Sequence, residues 1–208
     1  MRASPAGRCF VKKDEAGPAA TTIIRCPWCE KDDLYRAYHD LEWGVPVHDD
    51  AKHFEFLLLE TMQAGLSWYG ILSRREGFRA AFDGFDWHRI AEYGEGRVAA
   101  LMADARIIRN RRKIEGAIRN ARAFEAVRRE WRSFDAYIWS WTDGRVVRGD
   151  WTEPRQIPVT TPLSDRVAAD MKSRGFAFVG STTIYAHLQA IGVVDDHLVS
   201  CFRRTGAG

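Results

Sequence analysis

Long apolar runs are missing from this chain of 208 residues, and stretches such as 56-FLLL-59 are the longest it offers. They fall far short of the roughly 20 residues that cross a bilayer. A leader is not expected either. Lys12, Lys13, Asp14 and Glu15 interrupt any apolar segment near the N-terminus, which argues against secretion and for a cytoplasmic protein that does not meet a membrane. Cysteine is scarce, at four residues. In an intracellular chain of this size, four cysteines read as thiols or metal ligands before disulfides. Strand-like alternation is confined to short pieces such as 145-RVV-147 and 157-IPV-159, which excludes a sheet-based architecture. Repeats and low-complexity tracts are absent from the body of the chain. With 46% hydrophobic residues, what remains is an ordinary globular protein with a substantial core.

A large net charge is also lacking, the balance being only +3, but the charges are segregated. Residues 106–132 hold ten Lys or Arg against three Glu, and residues 31–60 hold eight acids against three bases. The basic block suits a phosphate backbone. The solvated face of a long helix has the same composition.

What is present is helical. Residues 1–24 carry Gly, Pro and Ala without periodicity and are expected to form a loose tail. Asp33 is placed to cap a helix running through Ala37 toward Trp43 and stopping at Gly44 and Pro46. Asp50 precedes a second helix with Phe54, Leu57, Leu58 and Met62 on one stripe. Ser67 is expected to cap a helix over 68–82, and Asp86 a short one after it. Residues 110–129 set Ile114, Ala117, Ile118, Ala121 and Phe124 at helical spacing, with arginines on the other face. Ser133 and Ser164 are read as caps of two later helices. The chain is therefore expected to be all-α. In 171-MKSRGFAFVGSTTIYAHLQAIG-192 a helix should end at Gly175, a glycine-bounded turn follow, and Ser181 open the next helix. Backbone N–H groups in such a hairpin bind phosphate oxygens without reading sequence. An ordinary corner between helices has the same signature.

Two constellations carry chemistry. In 197-HLVSC-201, His197 and Cys201 stand four apart on a predicted helix and so share a face. With Cys26 and His39 they make a Cys2His2 set suited to a closed tetrahedral zinc site of structural role. Cys29, in 26-CPWC-29, competes as a ligand that spacing alone does not exclude, whereas Cys9 in the tail is not expected to bind. The second constellation surrounds Glu60, a carboxylate at the end of the apolar run 56-FLLLE-60. Such a group is unfavourable unless it meets a partner. Trp28, Tyr35, Tyr38, Trp43 and Trp68 supply flat rings nearby in sequence. Aromatic faces with a carboxylate suit a flat, amine-bearing ligand, and a cationic purine best.

At this point the motifs 25-RCPW-28, 34-LYRAYHDLEWGVP-46, 63-QAGLSW-68, 107-IIRNRRKI-114, 174-RGFAFVG-180 and 194-VDDHLVSC-201 closely resemble the 3-methyladenine DNA glycosylase I family. They cover residues 25–202 in family order and spacing. The resemblance implies the helix-hairpin-helix glycosylase fold over residues 25–204, in two helical lobes around a base-binding cleft. It implies one zinc on Cys26, His39, His197 and Cys201, and a base pocket of Glu60 and Tyr38, with Trp68 as stacking ring and Trp28 and Tyr35 around it. Trp43 is read as core, and Asp40 and Glu42 as helix-surface or capping residues.

The implied activity is monofunctional hydrolysis of the N-glycosidic bond of 3-methyladenine in double-stranded DNA, by a monomer with water as nucleophile. No lysine lies near the pocket motifs, which argues against Schiff-base chemistry. Gly175, Gly180, Arg109, Arg112 and Lys113 are expected to hold phosphates. Two features depart from the family: the long N-terminal extension, and Asp195, where the family often has asparagine. Asp195 is either a catalytic carboxylate or a cap ahead of the zinc segment. A damage-binding protein without turnover and a glycosylase retargeted to another alkylated base are the alternatives.

Overall fold

The structure, a computed structural model, describes residues 23–205; the expected tail, apart from Ile23 and Ile24, and Cys9 within it lie outside that range. The helices start where short polar side chains accept orphan backbone N–H groups. Helix α1 (Asp33–Leu41) is capped by Asp32, which accepts from Tyr35 N at 3.0 Å, so the cap falls one residue before Asp33. Asp49 likewise caps α2 (Asp50–Gln63), which frees Asp50 to pair with Arg128. Ser67 caps α3 (Trp68–Leu72), but the single helix expected over 68–82 breaks before α4 (Arg75–Ala81). There the Ser73 hydroxyl and Arg74 guanidinium both donate to the Gly70 carbonyl, and side chains that compete for helical carbonyls favour an end to the helix.

Asp86 caps α5 (Trp87–Ala91); α6 (Glu95–Ala103) follows, then α7 (Arg111–Trp131), capped by Asn110, and α8 (Phe134–Ser140), capped by Ser133. The cap of α9 (Pro162–Ser173) is Thr161, with Ser164 completing a capping box from the third position. Pro162 explains the displacement, since proline is preorganised for the first helical position. Helix α10 (Ser181–Ala190) follows the glycine turn as expected.

A further expectation fails. The segment around His197 is not a helix: β2 (Val194–Asp195) pairs in parallel with β1 (Val147–Arg148), and a turn then leads to α11 (Phe202–Thr205). Val193 and Val194 favour an extended chain. The Asp195 carboxylate then accepts from His197 N at 3.2 Å, which favours a turn over a helical start. The four-residue spacing still brings His197 and Cys201 together, through the turn.

Helix α7 is the axis of the core. Helices α2, α5, α6 and α8 pack on it, and α10 packs between α2 and α9. Phe124 of α7 stacks on Phe134 at 4.4 Å and meets Phe54 of α2 edge-on at 5.1 Å. The hairpin between α9 and α10 is pinned to the same helix. The Asn120 amide accepts from Ala177 N at 2.7 Å and donates to Ala177 O at 3.1 Å, pairing with the turn as a neighbouring strand would. A Cβ on Gly116 would lie 2.8 Å from the Phe178 ring, so glycine is needed where the hairpin crosses α7.

Candidate base cavity and metal centre

Tyr38 and His39 are adjacent on α1, and α1 divides two buried sites between them. Tyr38 faces a cavity of about 310 Å³ whose walls include Trp28, Tyr35, Trp43, Glu60 and Trp68. Its ring lies 5.3 Å from that of Trp68, while Trp28 meets Tyr35 and Trp43 edge-on at 5.2 and 5.1 Å. The four rings and the carboxylate expected of a pocket are thus brought together. Trp43, read as core, is buried and is also a wall of the cavity.

Glu60 sits in the last turn of α2, only 4% exposed, and among the described residues no donor reaches its carboxylate. Burial alone pushes it up to about 8. Burial, and after it the charge of Glu60, pushes the Tyr38 hydroxyl well above its ordinary range. The indole N–H of Trp68 is buried without a partner as well. Buried polar groups are normally paired, so two unpaired ones beside one cavity, the Glu60 carboxylate and the Trp68 N–H, mark a place where a ligand supplies the partners.

The turn that delivers Trp68 is held from behind. Lys113 was expected at phosphates, but its ammonium is buried and donates to the carbonyls of Met62 and Ala64, each at 2.6 Å. It caps the C-terminus of α2, where carbonyls lack helical partners and favour a cation. That corrects its assignment, because an ammonium turned inward onto two carbonyls is not offered to DNA.

His39 faces the other way. The ligand atoms of Cys26, His39, His197 and Cys201 all lie within 4.8 Å of one another, and all four residues are buried. Cys26 Sγ lies 3.7 Å from His197 Nδ1, and Cys201 Sγ lies 3.4 Å from His39 Nε2 and 3.6 Å from His197 Nδ1. A tetrahedral zinc with bonds of about 2.3 Å to sulfur and 2.0 Å to nitrogen sets S···N edges of about 3.6 Å. The donor set fits that ion. Each imidazole also has its outer nitrogen engaged: His39 with Asp40 at 2.8 Å, and His197 with the Trp43 carbonyl at 3.0 Å. Such outer partners fix the tautomer that offers a lone pair to a metal.

Asp40 is therefore no plain surface residue, and Arg25 holds it in turn through contacts of 2.8 to 3.0 Å. Cys29 is not in the group; its thiol donates to Cys26 O at 3.1 Å, and burial pushes it up to about 11. A hydrogen bond from Cys26 holds Cys201 low, and the same contact pushes Cys26 up.

Asp195 lies in β2, with its carboxylate on His197 N and 3.8 Å from Arg148, and it is not among the cavity walls. Gly175, at φ +91°, and Gly180, the N-cap of α10, bound the hairpin. Most of the basic block is engaged elsewhere, Arg106 on Asp104, Arg111 on Glu95, and Arg128 and Arg129 on Glu125. Arg109 and Arg112 are exposed and have no ion pair among the described residues. Arg112 lines a separate open groove with Tyr93 and Glu115.

Sequence reading missed Gln63, Thr182, Ala186 and Gln189 as cavity walls. The last three stand four and three apart on α10, a helical spacing that could have marked one face.

The fold is that of solved 3-methyladenine DNA glycosylase I structures. One crystal structure so titled superposes with a TM-score of 0.84 at 46% identity, covering 86% of this chain and 98% of that one. A Staphylococcus aureus structure, titled for the structural basis of 3-methyladenine recognition, superposes at 0.82 with 30% identity, covering 85% of this chain and 94% of that one. Residues 28–204 match the family described as methyladenine glycosylase, and the chain belongs to that family. It is 44% identical to DNA-3-methyladenine glycosylase 1 of Escherichia coli (strain K12), over 85% of this chain and 95% of that protein. It is 41% identical to DNA-3-methyladenine glycosylase of Haemophilus influenzae, over 85% and 96%. Among the described residues, no helix is long and apolar enough to cross a membrane.

Proposed function

We propose that this protein is a DNA glycosylase that releases 3-methyladenine from alkylated DNA by hydrolysis, with one structural zinc on Cys26, His39, His197 and Cys201. The observation that carries the reading is Glu60: a buried carboxylate without a donor, in an aromatic cavity. A damaged base must leave the duplex to be acted on, and a poorly paired base leaves at least expense. Methylation at N3 makes adenine in DNA a cation. The incoming cation favours the ionised form of Glu60, which then supplies negative charge and hydrogen-bond acceptance, while Trp68 stacks on the flat face and Tyr38 covers an edge with its hydroxyl. Cation–π attraction adds to stacking.

The chemistry asks little of an acid. The glycosidic bond breaks with its electron pair on the positively charged base, which leaves neutral, and water adds to the sugar. What the site contributes is preorganised recognition of the charged base, so that the group which departs is the one held. The zinc, when bound, supplies folding free energy rather than a reactive position, since four protein ligands close its shell. The hairpin bounded by Gly175 and Gly180, with Arg109 and Arg112, is placed at the DNA backbone in this reading. Methylated DNA incubated with the protein and analysed by chromatography of released bases should yield 3-methyladenine as the main product. Retention of 3-methyladenine in the DNA, with tight binding, would instead mean a damage-binding protein.

A further inference from the structure

Gln189 lines the base cavity from the last turn of α10, and its side chain is held by a buried network with no other evident purpose. Its Nε2 donates to Asp196 Oδ2 at 2.7 Å. The same oxygen accepts from the Tyr185 hydroxyl at 2.5 Å, and the other carboxylate oxygen accepts from Trp151 Nε1 at 2.7 Å. Asp196 is 1% exposed. The backbone is fixed too, for the Gln189 carbonyl accepts from Gly44 N at 2.9 Å. The network lies so close to β1 that a Cβ on Gly149 would fall 1.9 Å from Trp151 Nε1 and 2.7 Å from Asp196 Oδ1.

The two ends of a glutamine amide are distinguished only by their partners. Here the partner decides. A carboxylate only accepts and an indole N–H only donates, so Asp196 is an acceptor and the amide must offer it nitrogen. The Oε1 end is then turned away from Asp196, and no donor meets it among the described residues. We propose that Gln189 is a specificity-determining residue, whose Oε1, fixed by Asp196, joins Glu60 in accepting the two N–H donors of a methylated purine's exocyclic amino group. The inference rests on the cavity being the base site.

The two acceptors differ in one respect. A carboxylate that takes up a proton becomes a donor, so Glu60 can adapt to a purine bearing oxygen in place of the amino group. Gln189 cannot adapt while Asp196 holds its nitrogen. Rejection of the oxo base therefore falls to Gln189, and sites built to hydrogen-bond one group discriminate strongly against its replacement.

The test is calorimetric binding of 3-methyladenine and of 3-methylhypoxanthine, its oxo counterpart. Wild-type protein should prefer 3-methyladenine by at least about tenfold. Gln189→Met, which keeps the volume, should bind 3-methyladenine about tenfold more weakly and lose most of the preference, with metal content unchanged and the thermal midpoint lowered by the lost hydrogen bond to Asp196. Asp196→Asn lets the amide rotate and should narrow the preference as well; if that variant does not fold, Gln189→Met decides alone. Gln189→Met with wild-type affinity and preference overturns the inference while leaving the base-site reading intact. Wild-type protein that binds neither base overturns both.

Discussion

The two buried polar sites share helix α1 but are finished in opposite ways. Around Cys26, His39, His197 and Cys201 every polar atom has a partner, out to Asp40, Arg25 and the Trp43 carbonyl. Around Glu60 the carboxylate and the Trp68 N–H, both buried, have none among the described residues. A saturated network holds a structure together, whereas an unsaturated one is maintained against its own cost because something else is to enter. The first site should therefore answer mainly in stability, the second mainly in binding.

Removing a metal ligand should have the largest effect. Cys26→Ala should lower stability by at least about 3 kcal/mol, because metal binding is folding free energy and the remaining donors are left buried. Cys29→Ala, which removes one buried sulfur and its hydrogen bond to Cys26 O, should lose far less. Thermal melts with metal analysis would separate the two. Equal losses, or protein without zinc, would erase the contrast between the sites.

The second effect is a pH dependence from the cavity itself. Burial raises Glu60 to about 8 from an ordinary 4.5. A carboxyl raised on folding contributes stability that is fully present below its unfolded value and is lost as pH rises toward and through the folded one. Wild-type protein without ligand should thus lose about 2–4 kcal/mol relative to Glu60→Gln between pH 4.5 and pH 8, and nothing further above that. Denaturant melts across that range measure it; parallel curves for the two proteins would mean that Glu60 is paired or solvated.

Trp68→Ala should weaken base binding by roughly 1–3 kcal/mol if stacking is the main loss. Asp40→Asn should act on the other site, lowering metal affinity by about 10–100-fold through His39 without touching base binding. The smallest effect is expected at Asp195. Asp195→Asn keeps an oxygen for His197 N and should shift stability by under about 1 kcal/mol, leaving single-turnover excision near wild type. A slowed excision at unchanged stability would make Asp195 catalytic.

The helices, the glycine hairpin and both constellations were legible because periodicity, capping residues and residue chemistry are local. What was not legible depended on tertiary partners. Lys113 sits in a run of basic residues and looks like its neighbours. Only the open end of α2, reached across the core, turns it inward. Asp40 reads as a surface acid until His39 and Arg25 are seen on either side of it. The strand at Val194 needs β1, nearly fifty residues upstream, to exist at all. The α10 wall of the cavity was missed because Thr182, Ala186 and Gln189 carry no chemistry that stands out singly. His197 and Cys201 were placed together for a helical reason, and a turn achieves it instead.

The central claim is that the unpaired carboxylate of Glu60 is there to select a charged base. The direct measurement is binding of 3,9-dimethyladeninium, a fixed cation with a methyl in place of the sugar, and of uncharged 9-methyladenine, to wild-type protein and Glu60→Gln. The account predicts that the wild type prefers the cation and that Glu60→Gln loses most of that preference while keeping its affinity for the uncharged base within a few-fold. An equal loss for both ligands would contradict it and leave shape alone as the selector.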